Sequence, residues 1–264
     1  MIVYSGTISK FSQDVDNGII ADLVQMELKK RNIFTNNESE FRSWDNSLLH
    51  MKNVLDYPEM NKDIRVAIEY QIPATSKRVD FIITGKDSDN KSNAVIVELK
   101  QWEEAQRTSR EDLVKTFLAG SMRVVTHPSY QAYSYAKTIE NYNEYVQKSQ
   151  IKLYPCSFLH NYKEEFRKEL VNELYQDIIE ISPIYLKRDV QKLRDFIRKY
   201  VSKADQGELM YQIDHGKIKP SKALQDTIVS MIKGNQEFLM IDEQKVVFST
   251  IKKLVENAMK NNEK

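Results

Sequence analysis

An α/β core followed by a helical C-terminal appendage is the fold class these 264 residues predict, and three observations predict it. Apolar residues at helical spacing fill the N-terminal segments. Three strand-like runs rich in β-branched residues then follow one another between residues 64 and 100. Past that point helical patterns dominate, with a further strand pattern at 151–159. Helix, three strands, helix, strand is the order of helices layered on a sheet.

Each element has its own signal. In "FSQDVDNGIIADLVQMELKKR", residues 11–31, apolar side chains at 15, 19, 20, 23, 24, 26 and 28 predict one helix, with Asp14 or Asp16 as its cap. A second helix starts at Ser39, with Phe41, Trp44, Leu48, Met51 and Leu55 on one face. The strands are 64–72 "IRVAIEYQI", 78–84 "RVDFIIT" and 94–100 "AVIVELK", and the polar "GKDSDNKSN" joins the last two as a hairpin loop. After Trp102 the chain turns polar and reads as helical through "REDLVKTFLAG". A tyrosine-studded helix then spans 129–147 behind Pro128. A strand at 151–159, a helix near 163–175, the strand-like "DIIEISPIYL" and a helix at 189–201 come next. Residues 205–264 read as helical throughout.

The composition is that of an ordinary globular chain, 41% hydrophobic and 29% charged, long enough for one large domain or a domain with an appendage. With 39 basic against 38 acidic residues the net charge is +1, so any nucleic-acid surface must be local. A single cysteine, Cys156, excludes an intrachain disulfide and a cysteine-rich zinc site; in "YPCSFLHNY" it reads as a small buried apolar residue rather than a nucleophile. There is no basic region leading into an apolar core at the N-terminus, and no apolar run of about 18 residues. A cytoplasmic protein without membrane contact is the expectation.

The chemistry sits where charge interrupts the strands. Asp80 breaks the first apolar run, and Glu98 with Lys100 breaks the second. Charges in strands covered on both faces are costly unless paired or metal-bound. Side-chain direction alternates along a strand, so Glu98 and Lys100 share a face. If the two strands are neighbours, Asp80 joins them. Two carboxylates suit a hard divalent cation such as Mg²⁺ or Mn²⁺, which makes hydroxide available near neutral pH. The lysine can orient that water or neutralise developing charge. The alternative is a surface hairpin whose charges face solvent or one another. Glu69, on the first of the three strands, is either a further ligand or a strand-edge residue. Arg78 shares the face of Asp80 and can hold a phosphate. On the helix behind Pro128, Gln131 and Tyr135 in "QAYSY" are one turn apart and face the same way.

Asp80, Glu98-x-Lys100 and Gln131-xxx-Tyr135, in this order, resemble the PD-(D/E)xK nuclease superfamily, and in particular its RecB-like branch with the Q-x-x-x-Y signature. The resemblance implies a restriction-endonuclease-like core, a mixed sheet flanked by helices, that cuts DNA with Mg²⁺ or Mn²⁺. Asp80 and Glu98 would bind metal, Lys100 would position or activate the attacking water, and Gln131 with Tyr135 would support the site or the substrate. Val79 stands where the family's proline does. Members often supply a glutamate from the preceding helix, and Glu40 in "SEFRSW" matches that placement, or is simply a capping-box acid. "FLMIDEQKVVF", residues 238–248, resembles the segment before the nucleotide-binding loop of superfamily 1 helicases, with Gln244 as the adenine contact; a terminal amphipathic helix is the alternative.

The chain as a whole looks like the N-terminal region of bacterial proteins that join such a nuclease to a helicase-like ATPase. That implies a nuclease domain over 1–200, a helical segment over 201–264 leading toward an ATPase partner, and a role in defence against phage or in DNA processing. No G-x-x-x-x-G-K-[ST] loop occurs, so ATP hydrolysis by these residues is not expected. A non-catalytic nucleic-acid-binding or assembly module, or an RNA-cutting nuclease of the same superfamily, remains the rival reading. Oligomeric state is not readable, with a homodimer as one option.

Overall fold

A computed structural model describes residues 1–33, 38–72, 75–149 and 151–222, and beyond these 224–226, 229, 244, 246–248, 250–252 and 255. The expected strands are present as β2 (Arg65–Gln71), β3 (Arg78–Lys86), β4 (Ser92–Lys100) and β8 (Lys152–Leu159). Two more, β1 (Ile2–Thr7) and β9 (Ile184–Leu186), complete a six-stranded sheet in the order β1-β2-β3-β4-β8-β9. β1 to β4 are antiparallel neighbours, whereas β8 and β9 run parallel to β4. The sheet is therefore mixed and flanked by helices.

Alternation along the strands divides the core in two. Phe81, Ile83, Val95 and Val97 face the layer made by α1 (Ile8–Asp16), α2 (Ile20–Lys30), α3 (Glu38–Leu55) and α8 (Val190–Tyr200). Ile82, Ala94 and Ile96 face α4 (Pro128–Tyr142) and α9 (Glu208–His215), through Tyr135, Ile139, Leu209 and Ile213. Burial on both faces explains the near-continuous apolar runs. Packing continues past residue 200: Lys203 pairs with Lys86 beside Gly85, and Asp214 accepts the backbone N–H of Ile2 at 2.6 Å. Cys156 is buried against the α3 layer, and burial raises its thiol, as expected of an inert apolar residue.

Several elements differ from expectation. The helix read over 11–31 is two helices, because Gly18 adopts φ +67 after α1, a conformation that ends helices. Thr7, not Asp14 or Asp16, caps α1 through its side chain. Asp14 instead lies buried, accepting from Tyr4 Oη at 2.8 Å and Lys10 Nζ at 2.6 Å. The stretch read as helical after Trp102 is a second sheet of β5 (Gln106–Arg107), β6 (Leu113–Leu118) and β7 (Ser121–Thr126). Ala119 and Gly120, both at positive φ, close the β6–β7 hairpin with a two-residue turn.

The helix read over 129–147 stops at Asn143. That residue is extended and caps α5 (Glu144–Lys148) through its side-chain oxygen. The helix expected near 163–175 is reduced to α6 (Arg167–Leu170) between two single 3₁₀ turns. "DIIEISPIYL" divides at Pro183 into α7 (Gln176–Ile181) and β9. Residues 216–221, expected to be helical, are not: Ile218 bridges Asn143 instead. Among the described residues no helix is long and apolar enough to cross a membrane.

Candidate functional site

β3 starts and β4 ends at the same end of the sheet because these two central strands are antiparallel neighbours. Phe81 pairs with Val97, so the next step of the ladder sets Asp80 beside Glu98. Their carboxyl groups come within hydrogen-bonding reach of each other. Asp80 Oδ2 also accepts the Leu99 N–H at 2.7 Å, and Lys100 Nζ donates to Glu98 Oε1 at 2.7 Å. Glu98 is buried. Burial raises the Asp80 carboxyl above the usual carboxylate range, and the charge of Lys100 and the Leu99 N–H offset only part of that.

Glu69 enters by a backbone irregularity. Ala67 packs toward α4 and Ile68 toward α3, yet Tyr70 packs toward α4 again, so alternation restarts at Glu69. Its φ of +56 is the cause. For a non-glycine residue this left-handed conformation costs about 1–2 kcal/mol. The turn carries the carboxylate toward α3, where Oε1 accepts the indole N–H of Trp44 at 2.8 Å and Oε2 meets Arg78 Nε at 2.6 Å. Arg78 also pairs with Glu40 on α3. Its guanidinium thus bridges two carboxylates, where the sequence suggested a phosphate contact. Burial and the nearby Asp80 push the Glu69 carboxyl up to about 7, against the opposing pull of Arg78 and Trp44.

From the other side α4 supplies Gln131 and Tyr135, one turn apart, with Gln131 Nε2 donating to Tyr135 Oη at 2.9 Å. Glu40, Glu69, Arg78, Asp80, Glu98, Lys100, Gln131 and Tyr135 all line one cleft of about 330 Å³, with walls from α3, α4 and the strands β2, β3 and β4. Gln244 is not among its lining residues; it is exposed on helical backbone, and most of 238–248 lies outside the described residues.

Sequence reading missed other groups in this cleft. Trp44 looked like one more apolar residue of its helix, but its N–H holds Glu69. Ser47 lines the cleft and joins it to buried His160, whose Nε2 lies 3.0 Å from Ser47 Oγ. No spacing links residues 47 and 160, so only the fold reveals that pair.

The cleft gathers carboxylates, an ammonium, a guanidinium and an amide in one place. Asp80 and Glu98 present the oxygen donors that a hard divalent ion takes alongside water. Crowding and burial of their carboxyl groups is the kind of electrostatic load a cation relieves. Lys100 and Arg78 now stand against Glu98, Glu40 and Glu69, and among the described residues no three acids or histidines are grouped as a closed ligand cage. Comparisons with protein-family models, with curated proteins and with solved structures each find no match.

Proposed function

We propose that this chain is a Mg²⁺- or Mn²⁺-dependent nuclease that hydrolyses DNA phosphodiester bonds, with a restriction-endonuclease-like core of the RecB-like PD-(D/E)xK kind. The reading rests on one observation: Asp80, Glu98 and Lys100 meet where β3 starts and β4 ends, in the cleft that Gln131 and Tyr135 line from α4. Asp80 and Glu98 would hold the ion, with Glu40 and Glu69 within the same cleft as further carboxylates. When bound, the ion supplies Lewis-acid polarisation of the phosphoryl oxygen and a more acidic water.

Lys100, held by Glu98, presents an ammonium group to orient the nucleophile and neutralise charge on the phosphorane oxygens. Gln131 offers its amide to a phosphate oxygen or an ordered water, and Tyr135 fixes that amide. Arg78 pairs with Glu40 and Glu69 and lines the same cleft, where its guanidinium would face a bound phosphate. A place in bacterial defence or DNA processing, beside a helicase-like ATPase, follows only from the sequence resemblance.

The test is incubation of supercoiled, linear and single-stranded DNA, and of RNA, with the chain in Mg²⁺, Mn²⁺ and EDTA. DNA should be cut only with metal. Asp80→Asn and Glu98→Gln should each abolish cutting and weaken Mn²⁺ binding in calorimetry. Preferential cutting of RNA would move the chain to the RNA-cutting reading. Wild-type Mn²⁺ affinity in both variants would overturn the assignment.

A further inference from the structure

Residues 113–126 form a hairpin that the cleft chemistry leaves unused. Its base is tied to the cleft at both ends. β4 ends at Lys100 and β5 begins at Gln106; on the other side His127 N donates to Asp112 O at 2.9 Å, and Gln131 N donates to His127 O at 3.0 Å. Gln131 is thus one helical turn, about 6 Å of rise, beyond the foot of the hairpin. From that foot, β6 and β7 extend for six residues each, about 20 Å.

The register sorts its side chains. Leu113 with Thr126, Lys115 with Val124, and Phe117 with Met122 share one face. The first pair is buried at the base. Phe117, Met122 and Val124 stand 58%, 38% and 44% exposed toward the tip. On the other face Thr116 Oγ1 is anchored on Glu104 O at 2.8 Å, beside exposed Arg123. No acid occurs between Leu113 and Thr126, and neither Lys115 nor Arg123 forms an ion pair with a described residue. The exposed aromatic and methionine have Lys115 on their own face and Arg123 on the other, with no acid in the hairpin. They complement a polyanion that also offers apolar faces.

We propose that the β6–β7 hairpin is a nucleic-acid-holding arm, which seats unpaired bases of a strand entering the cleft. Phe117 with Met122 stacks against a base, a contact tolerant of sequence because every base has a π-face; Lys115 on the same face takes the adjoining phosphate, and Arg123 on the other face takes a phosphate where the strand passes the hairpin's side. The arm rests on the nuclease reading for its substrate class but not on the metal chemistry, so the two can fail separately.

The experiment is fluorescence anisotropy of labelled single-stranded and duplex DNA in EDTA over a salt series, using the full chain. The samples are wild type, Phe117→Ala with Met122→Ala, and Lys115→Glu with Arg123→Glu. The apolar double variant should lose about 10-fold or more on single strands and less on duplex, as removal of a stacking platform does. The charge double variant should weaken both and flatten the salt dependence by roughly 0.7 per lost phosphate contact on single strands. All four positions are exposed, so melting temperatures should match wild type.

Wild-type affinity in both double variants overturns the arm. So does unchanged affinity with a shift in oligomeric state on size-exclusion chromatography, which would make the face a contact between copies. Plasmid cleavage separates the two readings. Metal-dependent cutting by wild type with unaltered binding in the hairpin variants removes the arm alone; hairpin-dependent binding without any cutting removes the nuclease alone.

Discussion

Glu69→Gln probes the electrostatics of the cleft without asking for activity. In the folded chain the Glu69 carboxyl titrates near 7, against 4.5 for an ordinary glutamate. Between these values the folded protein holds a proton that the unfolded chain has released, so stability falls as pH rises through that window. The whole loss is about 3 kcal/mol, at about 1.36 kcal/mol for each tenfold change in proton affinity. Glutamine cannot titrate and keeps a carbonyl oxygen for the Trp44 indole. It does lose the ion pair with Arg78, which adds a constant offset.

The pH-dependent part is independent of that offset. Urea unfolding followed by the fluorescence of Trp44 and Trp102, in EDTA at pH 5, 6, 7 and 8, isolates it. The wild-type curve should fall over this range, and the variant's should be flatter by up to about 3 kcal/mol. A residual slope is expected in the variant, because burial raises the Asp80 carboxyl in the same direction. Parallel curves would refute the reasoning: Glu69 would then be ionised throughout, with its pairing to Arg78 outweighing burial and the repulsion from Asp80.

The cleft was legible in the sequence to the extent that strand periodicity governs it. Asp80, Glu98 and Lys100 stand out because a doubly covered strand has few reasons to carry charge, and alternation alone puts Glu98 and Lys100 on one face. Gln131 and Tyr135 follow from helical spacing once the helix is placed. What periodicity cannot encode was lost. Nothing in "VAIEYQI" marks the left-handed residue that turns Glu69 toward Trp44, since a single φ reversal leaves no pattern behind. Arg78 has the parity of Asp80, but its partners, Glu40 and Glu69, come from elements that meet only in the fold. The β6–β7 hairpin escaped because "REDLVKTFLAG" carries good helix formers; its strand character is fixed by pairing with "SMRVVT" and by the Ala119–Gly120 turn. Residues 163–182 were misread for a related reason, their turns being set by local caps such as Asn172, which accepts the Leu174 N–H at 3.0 Å.

Three further outcomes are expected. Lys100→Met should leave Mn²⁺ binding largely intact and slow cleavage roughly 100-fold or more, because the ammonium acts on the nucleophile or on developing charge; a wild-type rate would reduce Lys100 to a partner of Glu98. His127 is buried and its pKa is lowered to about 4 by burial, with Leu170 O and Ser129 N satisfying the neutral ring. The unfolded chain therefore binds the proton first, and stability should be lost as pH falls from 6.5 toward 4, by up to about 3 kcal/mol, a slope that His127→Gln should reduce in acid-unfolding curves. The last outcome separates positioning from packing at Gln131 and Tyr135. Gln131→Ala removes a partly exposed amide, so melting temperature should barely move while cleavage falls and Mn²⁺ still binds. Tyr135 is 3% exposed, and its hydroxyl accepts from the Gln131 amide. Tyr135→Phe keeps the ring and frees that amide, so activity should fall less than in Gln131→Ala, at a stability cost of about 1 kcal/mol. Tyr135→Ala should also open a cavity and cost about 3–5 kcal/mol. Rates and melting temperatures measured on the same preparations decide the matter: if Gln131→Ala cuts at the wild-type rate per folded molecule, the pair belongs to the packing of α4 and not to the substrate.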